Sequence, residues 1–235
     1  MMGQFHSYRK LQEVARKEVT FKQTMLAQVA EQQGLLEREY FTVAGGGVCA
    51  ALAMMWVADK VVPGRTMALR QRFRFSHADP DPTTKEMYRE RKGREIAQHV
   101  KAIPEAAELQ QLYNSTEPEE KAVGLMAQKV GLKVVTNLDN LGELKAGEVL
   151  WGGYDVVVPK ATEESDATEA KPAGHAFGLF RNDLNDRYFF FDANTGEYSF
   201  TTDSLGSFWK AYGQVLTEEL KWKVSNIVAY LLARK

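Results

Sequence analysis

Residues 49–58, CAALAMMWVA, are apolar on every face and made largely of Ala, Leu and Met, all good helix formers. A helix without a polar stripe belongs inside a core, so this segment predicts a buried central helix. Gly45-Gly46-Gly47 stands just ahead of it and allows a sharp turn into the helix. On this reading Met54, Met55 and Trp56 fill the core rather than hold a cofactor.

Upstream, residues 7–38 are rich in Gln, Glu, Lys, Ala and Leu and read as one or two surface helices. Between Pro63 and about Val130 the pattern stays helical, with Pro80, Pro82, Pro104 and Pro118 as stops or starts. Composition then changes. LKVVTNL (132–138), EVLWGGYDVVV (148–158), HAFGLFR (175–181) and RYFFFD (187–192) are β-branched or aromatic runs and predict strands. The polar stretch 159–173 predicts an exposed loop, and Ser204–Gln214 a helix that can pack Phe208, Trp209 and Tyr212. VSNIVAYLLA (224–233) fits either a strand or a helix. A helical first half followed by a sheet-rich second half is an α+β arrangement, with the helical half packed against a C-terminal antiparallel sheet. The expected division is an N-terminal helical extension over 1–40 and one domain over 41–235. Within that domain a helical lobe covers about 41–130 and a sheet lobe about 131–235.

The 235 residues are 44% hydrophobic and 26% charged, enough to bury a core. The formal net charge is -1, which gives no electrostatic case for a nucleic-acid partner. Locally, ten basic residues face five acidic ones over 65–101, and five acids stand without a base over 102–120. A solvated helical surface explains that pattern. One cysteine excludes an internal disulfide, the first residues lack the apolar run of a secretory leader, and no apolar run reaches membrane-helix length. A soluble protein in a reducing compartment is expected. One cysteine and scattered histidines offer no zinc spacing, Asp79 and Asp81 lack the glycine of a calcium loop, and no Gly-Lys-Ser/Thr follows the glycine run. No metal and no cofactor is therefore expected.

A lone cysteine is usually a small buried hydrophobe. Cys49 differs in standing where the buried helix begins, where unpaired N–H groups and the helix dipole favour a thiolate. A thiolate nucleophile needs a base. His6 lies near the chain start, His77 in a turn-like SHADPDP and His99 in a charged helical stretch, whereas His175 opens an apolar strand after Gly174. RNDLND (181–186) is a hairpin turn by composition, and the returning strand ends at Asp192. An antiparallel hairpin brings the start of one strand near the end of the next. Asp192 can then accept the Nδ1–H of His175 and hold the imidazole. It can also cap the ANTG turn that follows it.

In that order, GGGVCAALAMMW, GHAFGLFR and YFFFDANTGEYSF resemble the YopT-type, papain-like cysteine proteases of bacterial effectors. The family pattern is a cysteine opening a helix that carries a tryptophan, a histidine on a strand, and an aspartate in a phrase like F-D-x-N-x-G-E. Cys49, Trp56, His175, Asp192, Asn194, Gly196 and Glu197 occupy those positions. The resemblance spans roughly 41–60 and 170–215 and implies a papain-like fold with Cys49, His175 and Asp192 as catalytic triad. It also implies a secreted or injected effector or toxin that works in the cytoplasm of a target cell. Its partner would be a host protein as substrate, with a secretion chaperone or adaptor beside it. The chain departs from the family five and six residues before the cysteine. Ala44 and Val43 stand where papain-like enzymes place a Gln or Asn for the oxyanion. Gly47, Gln33 and Gln32 are the substitute candidates, and one such donor is worth about 2.7–4 kcal/mol in the transition state. The same thiolate chemistry serves a deamidase or transglutaminase, and a protease-like binding module without catalysis remains a third reading.

Overall fold

The computed structural model describes residues 6–19, 48–63, 105–157 and 172–235. Helix α1 (His6–Val14) leads into strand β1 (Arg16–Val19), and α2 (Cys49–Val61) follows. Residues 105–114 are helical. Next come α3 (Glu119–Lys129), β2 (Leu132–Asn137), β3 (Val149–Val157), β4 (Pro172–Arg181), β5 (Arg187–Asp192), β6 (Gly196–Thr201), α4 (Leu205–Gln214) and β7 (Lys223–Arg234). The strands form one antiparallel sheet in the order β1-β6-β5-β4-β3-β7-β2. The architecture is the expected α+β one.

Alternation along the strands sorts the core onto two faces of this sheet. Val149, Trp151, Ala176 and Phe191 pack with α2 on one face. Leu150, Tyr154, Phe177, Leu179, Phe190, Tyr198 and Phe200 pack on the other with Leu11 of α1 and Phe208, Ala211 and Tyr212 of α4. Every residue of α2 from Cys49 to Asp59 is buried, as its even apolarity requires. A side chain at Gly178 would begin 2.6 Å from the Trp56 ring, so glycine there lets α2 lie close against β4.

On the opposite face, Phe177 stands across from both Gly152 and Asp192, and its ring covers Gly152. A Cβ on Gly152 would sit 2.2 Å from Phe177 Cζ. Trp209 and Phe190 pack the Phe177 ring edge-on and tilted, which closes its escape. Gly152→Ala should therefore cost about 1–3 kcal/mol, the usual range for forced overpacking. Urea unfolding of the variant against wild type checks this, and an unchanged midpoint would count against the packing.

The sequence-based reading differs from the structure in two places, and the structure settles a third that was open. Residues 16–19 form an edge strand on β6 instead of continuing a surface helix, and α1 buries Leu11 against the core. The stretch GEYSFT joins the sheet as β6, a strand the composition did not single out. Residues 224–233 are strand, within β7. The helices expected over 64–104, most of the 159–173 loop, and the turn at 45–47 lie outside the described residues.

Candidate active site

Cys49 is the first residue of α2, and the cap residue Val48 offers no side-chain acceptor to the helix start. The buried amide of Gln110 supplies one instead, its Oε1 accepting the Ala51 N–H at 3.2 Å. Its Nε2 donates to Asn114 at 2.9 Å, so both ends of the amide are engaged. One orphan donor of the first turn is thus satisfied from a neighbouring helix. The Cys49 side chain is nearly closed off, and its Sγ donates to the Gly174 carbonyl at 3.9 Å.

His175 enters from the strand directly after that carbonyl. Its side chain projects from the α4 face of β4, the face that carries Phe177 and, in the register of β5, Asp192. Nε2 donates to Asp192 Oδ2 at 2.5 Å, with both side chains almost fully buried. The nitrogen therefore differs from the expected Nδ1. Two residues of offset between His175 and the Phe177–Asp192 pair require the ring to reach along the strand with its far nitrogen. That leaves Nδ1 as the ring nitrogen Asp192 does not engage, with Cys49 close enough for its charge to act on the imidazole. The rings of Tyr154 and Trp222 pack the imidazole at 5.3 Å and 5.2 Å.

Asp192 fills both roles that its position in the sequence offers. Oδ1 accepts the N–H groups of Asn194 and Thr195, each at 2.8 Å, which caps the ANTG turn. Oδ2 accepts His175 Nε2 and the hydroxyl of Tyr212, the latter at 2.7 Å. Tyr154 adds its hydroxyl to that of Tyr212 at 3.2 Å. Nothing in the sequence ties Tyr154 or Tyr212 to the site. Only strand register and helix packing bring them there.

Five residues beyond Asp192, Glu197 does a different job. Its Oε2 accepts Trp56 Nε1 at 2.9 Å and its Oε1 pairs with Lys60 Nζ at 2.9 Å. Phe191, opposite Glu197 in the ladder, stacks on Trp56 at 5.7 Å, and Lys60 sits 4.3 Å from the centre of the Trp56 ring. Trp56 and Lys60 are one turn apart on α2, so a single carboxylate of β6 grips the helix that presents Cys49.

Electrostatics favour an ion pair at the base. Burial pushes the His175 imidazole down. The charges of Asp192 and Cys49 and the hydrogen bond to Asp192 outweigh it and lift His175 to about 10. Burial likewise pushes the Asp192 carboxyl up, but the His175 charge and donors from His175, Tyr212 and Asn194 bring it below the usual carboxylate range. A histidine held above its ordinary 6.5 contributes stability that is complete below that pH and lost as pH rises toward about 10. The depressed carboxyl contributes stability above 3.8 that is lost in acid. The melting temperature should therefore fall between pH 6.5 and 10, and His175→Gln should flatten that slope; equal slopes would contradict the pairing.

Cys49, His175 and Asp192 thus meet at one end of the sheet. The oxyanion candidates Gly47, Gln33 and Gln32 lie outside the described residues, as do His77 and His99, while His6 opens α1. Among the described residues no cluster of His, Cys, Asp and Glu is arranged to hold a metal ion. No helix among them is long and apolar enough to cross a membrane.

The chain is an α+β protein in which a helix-opening cysteine meets a buried histidine–aspartate pair. No family model matches it, and no curated protein matches it in sequence. Among solved structures, the crystal structure of the Pseudomonas avirulence protein AvrPphB aligns with a TM-score of 0.46 and 13% identity, covering 79% of this chain and 91% of that one.

Proposed function

We propose that this protein is a papain-like cysteine protease that cleaves its substrate through an acyl-enzyme. The observation that carries the reading is the His175–Asp192 pair, joined through Nε2, with Nδ1 left to the thiol at the start of a buried helix. Cys49 Sγ attacks the carbonyl carbon of a peptide bond as the thiolate whose proton His175 already holds on Nδ1. His175 returns that proton to the departing amine as the C–N bond breaks. A water molecule, deprotonated by His175, then splits the thioester and restores the thiol. Asp192 keeps the imidazole in the tautomer this sequence needs. The N–H of Cys49, at the first helical position, supports the oxyanion as one donor.

The order of the phrases around Cys49, His175 and Asp192 supports a narrower reading, a YopT-type effector delivered by a bacterium to cut a protein in a target cell. The protease domain is assigned to 41–235. An N-terminal extension is assigned to 1–40; its described residues add β1 to the sheet beside β6 and Leu11 to the core with α4.

Mapping of new protein N-termini in target-cell extract, wild type against Cys49→Ala, tests this reading. Wild type should generate a small set of new termini that the variant does not. Identical N-terminal maps sink the protease reading, and ammonia release or amine incorporation in their place identifies an acyl transferase. Iodoacetamide should label Cys49 at pH 6 in wild type, and His175→Ala should suppress that labelling.

A further inference from the structure

The aromatic core around α4 contains one hydroxyl that packing does not explain. The Tyr212 ring lies among Phe190 at 4.8 Å, Phe208 at 5.8 Å and Trp209 at 6.0 Å, contacts that a phenylalanine would make equally well. A buried hydroxyl is costly unless it is hydrogen-bonded. Here it donates to Asp192 Oδ2, the oxygen that also receives His175 Nε2. An ionised carboxylate has about four lone-pair sites. In Asp192 all four are used, two on Oδ1 by the turn and two on Oδ2 by His175 and Tyr212. The hydroxyl of Tyr212 has one proton, and the carboxylate takes it. Tyr154 is therefore the donor in the tyrosine pair and fixes the direction of the Tyr212 O–H.

We propose that Tyr212 is a positioning residue of the site, its hydroxyl sharing Asp192 Oδ2 with His175 and so setting how firmly the carboxylate holds the imidazolium. The inference rests on the reading of Cys49, His175 and Asp192 given above. Two donors on one oxygen compete for the same negative charge. With Tyr212 in place, Asp192 stays ionised and locked in rotation while part of its charge is drawn away from His175. An imidazolium held too tightly is a poor acid toward a leaving amine, because proton transfer is most effective when the donor's pKa lies near the working pH. Tyr212 thus tempers the pair as well as orienting it. The other titratable groups within reach of the Asp192 charge are Tyr8 from α1, Tyr154 from β3 and Tyr198 from β6, while Cys49 from α2 acts on His175. Burial and the Asp192 charge hold Tyr154 and Tyr212 well above the ordinary phenol range, so both remain proton donors.

The test is the titration of His175 in the full-length protein, followed by NMR of the imidazole carbon and assigned with His175→Gln. Tyr212→Phe should move the midpoint upward by about one pH unit, a tenfold tighter hold on the proton. Tyr154→Phe should move it the same way by less, and this second variant decides the matter if Tyr212→Phe fails to fold. Tyr188→Phe is the control, since it deletes a buried hydroxyl of the same core that interacts with Arg181 at the far end of the hairpin. It should leave the midpoint in place. A midpoint unmoved by Tyr212→Phe overturns the proposal, as does one that Tyr188→Phe moves equally. No substrate is involved, so failure of the cleavage test alongside a shifted midpoint removes the protease reading alone.

Discussion

Asp192→Asn should slow iodoacetamide labelling of Cys49 at pH 6 by on the order of 10^4-fold, the scale on which a wrong histidine tautomer disables a triad. The substitution is chosen because it spares the turn. An amide oxygen at Oδ1 still accepts the N–H groups of Asn194 and Thr195. At Oδ2 an amino group now faces two donors, His175 Nε2–H and the Tyr212 hydroxyl. The imidazole resolves that clash by moving its proton to Nδ1, where it points at the thiol. A ring protonated there cannot accept the Cys49 proton. Asp192→Ala should be more damaging to stability, because it strips the acceptor from two backbone groups as well, each worth about 1–3 kcal/mol when left buried and unsatisfied. If labelling of the Asn variant stays within tenfold of wild type, the carboxylate is not orienting the base.

The second large effect is structural. Glu197→Ala should cost about 3–5 kcal/mol, the usual consequence of deleting one member of a buried ion pair. Both side chains of the Lys60–Glu197 pair are 7% exposed, and the same carboxylate accepts the indole N–H of Trp56. Replacing both charges, as Glu197→Leu with Lys60→Met, should recover only part of the loss, since the apolar pair avoids the desolvation penalty but leaves the Trp56 N–H without its acceptor, at about 1–3 kcal/mol. The measurement is the urea midpoint of the two variants against wild type. A Glu197→Ala protein within 1 kcal/mol of wild type would show that the grip on α2 is incidental.

Much of this was legible because it rests on local rules. The apolar run from Cys49 to Ala58 is a buried helix because no face of it can be left in water. The hairpin around 181–186 forms where polar turn residues separate two aromatic strands, and its antiparallel ladder places the starting histidine near the closing aspartate. What stayed hidden depends on partners remote in sequence. The choice of Nε2 over Nδ1 follows from a two-residue offset in register, which no composition reveals. Gln110 satisfies the Ala51 N–H from a helix 59 residues away. Tyr212 looked like core filling, and its ring is; only its hydroxyl reaches the carboxylate. The edge strand at 16–19 was missed because RKEV is charged, as an edge strand with one open side tolerates.

Asp192 closes one arm of a tight turn and Glu197 stands one residue into the other, and they project to opposite sides of the sheet. One secures the base; the other secures the helix that carries the nucleophile. The segment between them therefore acts as a ruler whose length sets the spacing of the reacting groups. A single inserted residue beyond Gly196 would reverse the facing of every later side chain in β6, turning Glu197 away from Trp56 and Lys60 while leaving Asp192 in place. Loops elsewhere can grow or shrink at little cost, but this one has a fixed count.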